Sequence, residues 1–237
     1  MRVGALVLAL LVAVPLHLLW RRVRLPSPWP RLFLRAVARI VGLRVRVAGR
    51  PLRRDVVFVS NHQSWTDIPL LAGVTGTAFV AKAELRAVPL VGWLCTLNHT
   101  LFVRREDRLG VAAQIAQLRA AVAAGWAVTL FPEGTTGDGH HLLPFKATLL
   151  AVLDDPPPEV RVQPVRIDYG AATDTIAWVG EESGQAHAAR LLRRRGRLPV
   201  TVRFLEPFEP AGGRKSVAAQ ARAGILATGL RDRHKAA

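Results

Sequence analysis

The chain has 237 residues, half of them hydrophobic, and 33 Lys and Arg against 17 Asp and Glu give it a net charge of +16. That length allows one substantial core, and the basic excess favours anionic partners: nucleic acid, lipid head groups or phosphorylated substrates. A single cysteine, Cys95, excludes an intrachain disulfide and a CxxC metal site.

Taken in chain order, the first element is a stretch from Val3 to Trp20 that carries no charge and is followed by Arg21-Arg22-Val23-Arg24. As a helix it would measure about 27 Å, at the short end of a membrane span. The charges follow the stretch instead of preceding it, the reverse of a secretory leader. A retained anchor is expected, and the positive-inside bias then puts the rest of the chain on the cytoplasmic face of the inner membrane. A buried core helix is the competing reading. Next, Arg31, Arg35 and Arg39 fall on one helical stripe while Phe33, Val37, Ile40 and Val41 cover the other side. That pattern suits a helix lying in the lipid interface, and equally one docked on the protein's own core. Residues 1–42 are therefore expected to form a membrane anchor plus an amphipathic helix, and residues 43–237 a catalytic domain.

From Leu43 onward short apolar runs alternate with helical patterns. Strands are predicted at Leu43–Val47, Val56–Val59, Ala78–Ala81, Thr100–Val103, Val128–Phe131, Val160–Ile167 and Val200–Leu205. Helices are predicted around Ile68–Leu71, within Ala83–Leu97, and at Leu109–Ala124, Lys146–Leu153, His187–Arg195 and Lys215–Leu230. Such alternation implies an α/β fold, a mixed sheet covered by helices.

The segment Ser60-Asn61-His62-Gln63-Ser64-Trp65-Thr66-Asp67-Ile68-Pro69 directly follows a predicted buried strand. Pro69 suits the first turn of a helix with Asp67 just outside it, so a loop can bring the Asp67 carboxylate back onto His62. That pairing would fix the imidazole's tautomer, as in a triad that has lost its serine, and the nucleophile would be a substrate hydroxyl. Alone, Asp67 reads equally as a helix cap and His62 as a polar residue at a strand end.

Three further segments extend the pattern: Leu101-Phe102-Val103-Arg104-Arg105, Phe131-Pro132-Glu133-Gly134-Thr135-Thr136 and Val162-Gln163-Pro164-Val165-Arg166-Ile167. With the Asn-His-x4-Asp segment, and in the same order, they closely resemble the sequence blocks of the bacterial 1-acylglycerol-3-phosphate acyltransferases of the glycerolipid acyltransferase family. The resemblance runs from about Arg44 to Phe208. It implies an acyltransferase-like α/β domain in which His62 is the general base and Asp67 orients it. It further implies acceptor binding by Arg105, Glu133 and Gly134, with Lys82 and Lys146 near the head group and Arg104 adding charge where the family carries an acid. A fatty acyl group would pass from acyl-CoA or acyl-carrier protein, as co-substrate, to the hydroxyl of 1-acylglycerol 3-phosphate, giving phosphatidic acid. No metal and no other cofactor is expected. Thr136 stands where the family often has an arginine, which leaves room for another lyso-lipid acceptor such as lyso-ornithine lipid.

Arg190 to Arg197 form a last basic cluster, expected to face anionic lipid. Without interleaved aromatics or a known module it does not point to nucleic acid. A non-catalytic protein that only binds anionic membrane would fit the charge and the apolar start, but has no use for His62 and Asp67.

Overall fold

The run Val56-Val57-Phe58-Val59 is buried at every position, as a strand inside a sheet covered on both faces must be. In the computed structural model, which describes residues 1–25, 27–88, 91–97, 100–103 and 108–233, this run is β2 (Val56–Ser60) and lies at the centre of a seven-stranded sheet. The other members are β1 (Leu43–Ala48), β3 (Ala78–Lys82), β4 (Leu101–Val103), β5 (Ala127–Leu130), β7 (Arg161–Asp168) and β8 (Leu198–Phe204), in the spatial order β1-β8-β7-β2-β5-β3-β4. Among the described strands of this sheet the β7–β8 pairing is antiparallel and the others are parallel, so the sheet is mixed, as expected. Two short segments that periodicity does not reveal, β6 (His141–Leu142) and β9 (Arg231–Asp232), pair separately.

Alternation along β2 divides the interior. Val56 and Phe58 face one apolar cluster with Leu70, Leu71, Ile176 and Leu191, which come from α3 (Asp67–Thr75), α6 (Thr173–Ile176) and α7 (Gly184–Arg193). Val57 and Val59 face the other, with Leu118 and Val122 of α5 (Arg108–Ala123), the 3-10 stretch Ala147–Leu153, and Val217 and Ala221 of α8 (Gly213–Leu226). Helix α4 (Val91–Leu97) precedes β4 near the far edge. The Lys146–Leu153 helix of the sequence reading is thus a tighter 3-10 run, as is Ala83–Ala87 at the start of the Ala83–Leu97 stretch; α6 has no counterpart in that reading, and the other helices and the predicted strands fall within a few residues of expectation.

Before the sheet come α1 (Arg2–Trp20) and α2 (Trp29–Val41), packed on each other. The segment from Arg2 to Val23 is long and apolar enough to cross a membrane, and most of it is exposed. Val3, Val7, Leu8, Leu11, Val12, Leu18 and Leu19 all show to solvent. The Arg2 guanidinium donates at 2.8 Å to both the Leu191 and the Gly196 carbonyls, so the start of α1 is fastened to the domain. Helix α2 docks on the protein's own core through Ala38 and Val41 and packs on α3. Its Arg31, on the basic stripe, donates to the Gly73 and Val74 carbonyls. The contact is close because Gly73 has no side chain; a Cβ there would lie 2.8 Å from the Arg35 Cα.

Candidate active site

Strands β7, β2 and β5 are parallel neighbours at the sheet's centre, so their carboxyl ends open onto one edge. In α/β sheets that edge is where loops build sites. Here β2 delivers Asn61 to Asp67, β5 delivers Phe131 to Gly134, and β7 delivers Tyr169.

The loop after β2 closes around a carboxylate. Asp67 is completely buried and begins α3 after an N-cap at Thr66, so it stands inside the first turn and not before it. Backbone turns from Ser64 to Asp67 and from Trp65 to Ile68 wind the chain early, which is why the helix starts sooner than Pro69 suggests. The carboxylate does not cap its own helix. Its Oδ2 accepts the backbone N–H groups of Gln63 and Ser64 at 2.7 and 2.9 Å and pairs with His62 Nδ1 at 2.8 Å. The two side chains singled out by sequence are therefore in direct contact. Three donors on one oxygen compensate the removal of this charge from water.

The imidazole is held on other sides too. It stacks on Phe131 with centroids 4.1 Å apart and planes 17° apart. Its backbone N–H donates to Glu133 Oε1 at 2.7 Å, and its carbonyl accepts from the Gly137 N–H at 2.8 Å. With Nδ1 committed to Asp67, Nε2 has no hydrogen-bond partner among the described residues, and the side chain is 17% exposed. An imidazole so placed can accept a proton at Nε2 while Asp67 stabilises the cation.

Glu133 is 3% exposed, and its second oxygen accepts the Leu143 N–H at 3.0 Å. Both oxygens are spent on main chain, so this side chain joins the loops after β2 and β5. The acceptor-binding role implied by the resemblance is not what its contacts describe. Burial pushes its carboxyl up to about 8, against the downward pull of the two N–H donors. Gly134 lies beside it with φ +73°, a left-handed turn that suits glycine. Lys146 is exposed, and its N–H donates to the Pro132 carbonyl at 2.8 Å, so it stands at the foot of the same loop. Lys82 ends β3, but its side chain lies outside what the structure describes, and Arg104 and Arg105 lie outside the described residues altogether.

Thr136 turns inward. Its hydroxyl donates to the Trp178 carbonyl at 2.5 Å, and the Trp178 N–H donates to the Gln63 carbonyl at 2.9 Å. This brace ties the loop after β5 to the loop that carries His62. Gly139 closes it from outside, since a Cβ there would sit 2.2 Å from Gln63 Oε1. Arg190, the first residue of the basic cluster, is bound to Glu182 through two nitrogens and to the Thr175 and Ala177 carbonyls. Among the described residues no group of three or more His, Cys, Asp or Glu is arranged to hold a metal.

One residue of this constellation escapes sequence reading. Tyr169 is fully buried, and its hydroxyl donates to Asp67 Oδ1 at 2.6 Å while lying 3.0 Å from Thr66 Oγ1. No spacing rule connects positions 67 and 169; only the β2–β7 pairing brings them together.

A family model described as Acyltransferase matches residues 44–168, more than half of the chain. The chain belongs to the acyltransferase family. The lyso-ornithine lipid O-acyltransferase of Brucella abortus (strain 2308) is 37% identical over 224 residues, covering 85% of this chain and 84% of that protein. The 1-acyl-sn-glycerol-3-phosphate acyltransferase of Neisseria gonorrhoeae is 34% identical over 112 residues, 46% of this chain. Among solved structures, the 1-acyl-sn-glycerophosphate (LPA) acyltransferase PlsC from Thermotoga maritima superposes with a TM-score of 0.59 at 26% identity over 98% of this chain and 99% of that one. The protein is thus an acyltransferase with the mixed-sheet fold of that family, and its exposed apolar first helix is a candidate membrane segment.

Proposed function

We propose that this enzyme transfers a fatty acyl group from a thioester donor, acyl-CoA or acyl-carrier protein, to the hydroxyl of lyso-ornithine lipid at the cytoplasmic face of the inner membrane. The observation that carries the choice of acceptor is the extent of similarity. The lyso-ornithine lipid enzyme of Brucella abortus aligns over 85% of the chain, the glycerophosphate enzyme of Neisseria gonorrhoeae over 46%. The site offers a physical reason. Where phosphate-binding relatives are expected to carry an arginine, Thr136 spends its hydroxyl on Trp178. An ornithine head group presents a carboxylate and an ammonium in place of a phosphomonoester, and has less need of a planar guanidinium there.

In this reading His62 Nε2 takes the proton of the acceptor hydroxyl as the oxygen attacks the thioester carbonyl. Collapse of the tetrahedral adduct forms the ester and expels the thiolate, which recovers the proton from the imidazolium. The thioester is already activated, so the chemistry calls for no metal and no covalent enzyme intermediate. Asp67 holds the ring through Nδ1.

The second reading, 1-acylglycerol 3-phosphate as acceptor, is supported by the likeness to PlsC. Membranes containing the protein, supplied with labelled acyl donor and each lyso-lipid in turn, separate the two. Acylation of lyso-ornithine lipid is expected to exceed that of lysophosphatidate at least tenfold, and the reverse order rejects the proposal. His62→Ala is expected to lower the rate by about 10²- to 10⁴-fold, the usual contribution of a general base.

A further inference from the structure

We propose that Tyr169 is a positioning residue for the His62–Asp67 pair: its hydroxyl pins the second oxygen of the carboxylate and so fixes the plane in which Oδ2 meets His62 Nδ1. The inference rests on the reading of His62 as base. It starts from the way donors are shared out on Asp67. His62 Nδ1, Gln63 N and Ser64 N all converge on Oδ2, whereas Oδ1 receives Tyr169 alone among the described residues. Rotation about the terminal bond of an Asp side chain is soft, so neither helix α3 nor its rotamer fixes the carboxylate plane. Three bonds to one oxygen leave the other free to swing. A single short bond to that other oxygen removes the freedom.

The surroundings suit a permanent donor. Tyr169 is 1% exposed and Asp67 is 0% exposed, so no solvent competes at Oδ1. Burial and the neighbouring Asp67 charge hold the phenol well above the ordinary tyrosine range, so it stays protonated. With its proton committed to Asp67, the phenol oxygen is left to accept from Thr66 Oγ1, itself part of the same loop. The ring belongs to the same buried apolar cluster as Phe58, Leu70 and Ile167, where a phenylalanine would serve as well, so the hydroxyl is the part that core packing leaves unexplained. Tyr169 also stands one residue past the segment matched by the family model.

Tyr169→Phe removes only that hydroxyl. Loss of a hydrogen bond to a charged group predicts a kcat lower by about 10- to 100-fold, with KM for the lyso-lipid held within about twofold because the acceptor does not touch this residue. In an Asp67→Asn background the same substitution should cost less than about twofold, because its path of action is already cut. Equal fold losses in both backgrounds, or full kcat in Tyr169→Phe, would overturn the proposal. Should Tyr169→Phe not fold, a second measurement decides. Tyr169 is the only tyrosine of the chain, so growth on 3-fluorotyrosine labels this position alone. Its fluorine resonance must shift on Asp67→Asn, and an unmoved resonance rejects the contact. His62→Ala separates the premise from the inference. If that variant is inactive while Tyr169→Phe is fully active, only the positioning role falls; if it is active, the base reading falls and takes this inference with it.

Discussion

Glu133 shows most clearly what the site asks of a single residue. Its raised carboxyl ties folding to pH, and the sign follows from where the protons sit. The ordinary value is 4.5 and the folded value about 8, so the folded chain holds more protons than the unfolded chain between those limits. This contribution to stability is complete below about 4.5 and is lost as pH rises towards 8. Glu133→Gln cannot ionise, so its melting temperature relative to wild type is expected to climb between pH 5 and pH 8, whatever the fixed cost of the amide. Parallel melting curves across that range would refute the raised carboxyl. At this scale the sequence exposed only part of the site. His62 and Asp67 were readable because one short segment holds both. The clamping use of Glu133 was not, because its partners are the main-chain groups of His62 and Leu143, which leave no mark in side-chain identity. Tyr169 was hidden for a related reason: a hundred and two positions separate it from Asp67.

Elements were easier to read than contacts. The buried strands announce themselves as β-branched runs, and α2 by its stripe, but a stripe cannot say what lies against it. The structure answers with α3, and Gly73 is the meeting point. Any side chain there must push α2 away from α3. Gly73→Val is expected to destabilise the protein by about 1–3 kcal/mol, the usual range for overpacking, and to lower the midpoint of denaturant unfolding. Since α3 begins at Asp67, the same variant is expected to lose activity beyond its loss of folded protein. Unchanged stability would mean that the two helices are not in contact. The pairs β6 and β9 stayed invisible because two residues set no periodicity. The 3-10 run after Lys146 read as an α-helix because its apolar spacing does not distinguish the two.

For the molecule as a whole, charge and hydropathy act together. The basic residues behind the net charge of +16 are distributed along the chain, those on α2, β1 and the end of α7 among them, while α1 shows an apolar surface. Charge is screened by salt and apolar insertion is not. Binding to vesicles containing anionic lipid is therefore expected to weaken several-fold between low and near-molar salt and then to level off above zero. Sedimentation with vesicles measures it, and complete release at high salt would leave α1 without a role in attachment.

The glycine at position 139 has a consequence for how such an enzyme changes over generations. Its approach to Gln63 shuts that position to every side chain, while its neighbours Asp138 and His140, the latter with its partner Asp174, stand at the solvent rim. Of the two, Asp138 also accepts the His140 and His141 N–H groups and so shapes the loop, whereas His140 and Asp174 pair with each other at the surface and are freer to be exchanged. Selection thus inherits a fixed wall and a variable rim on the same short loop.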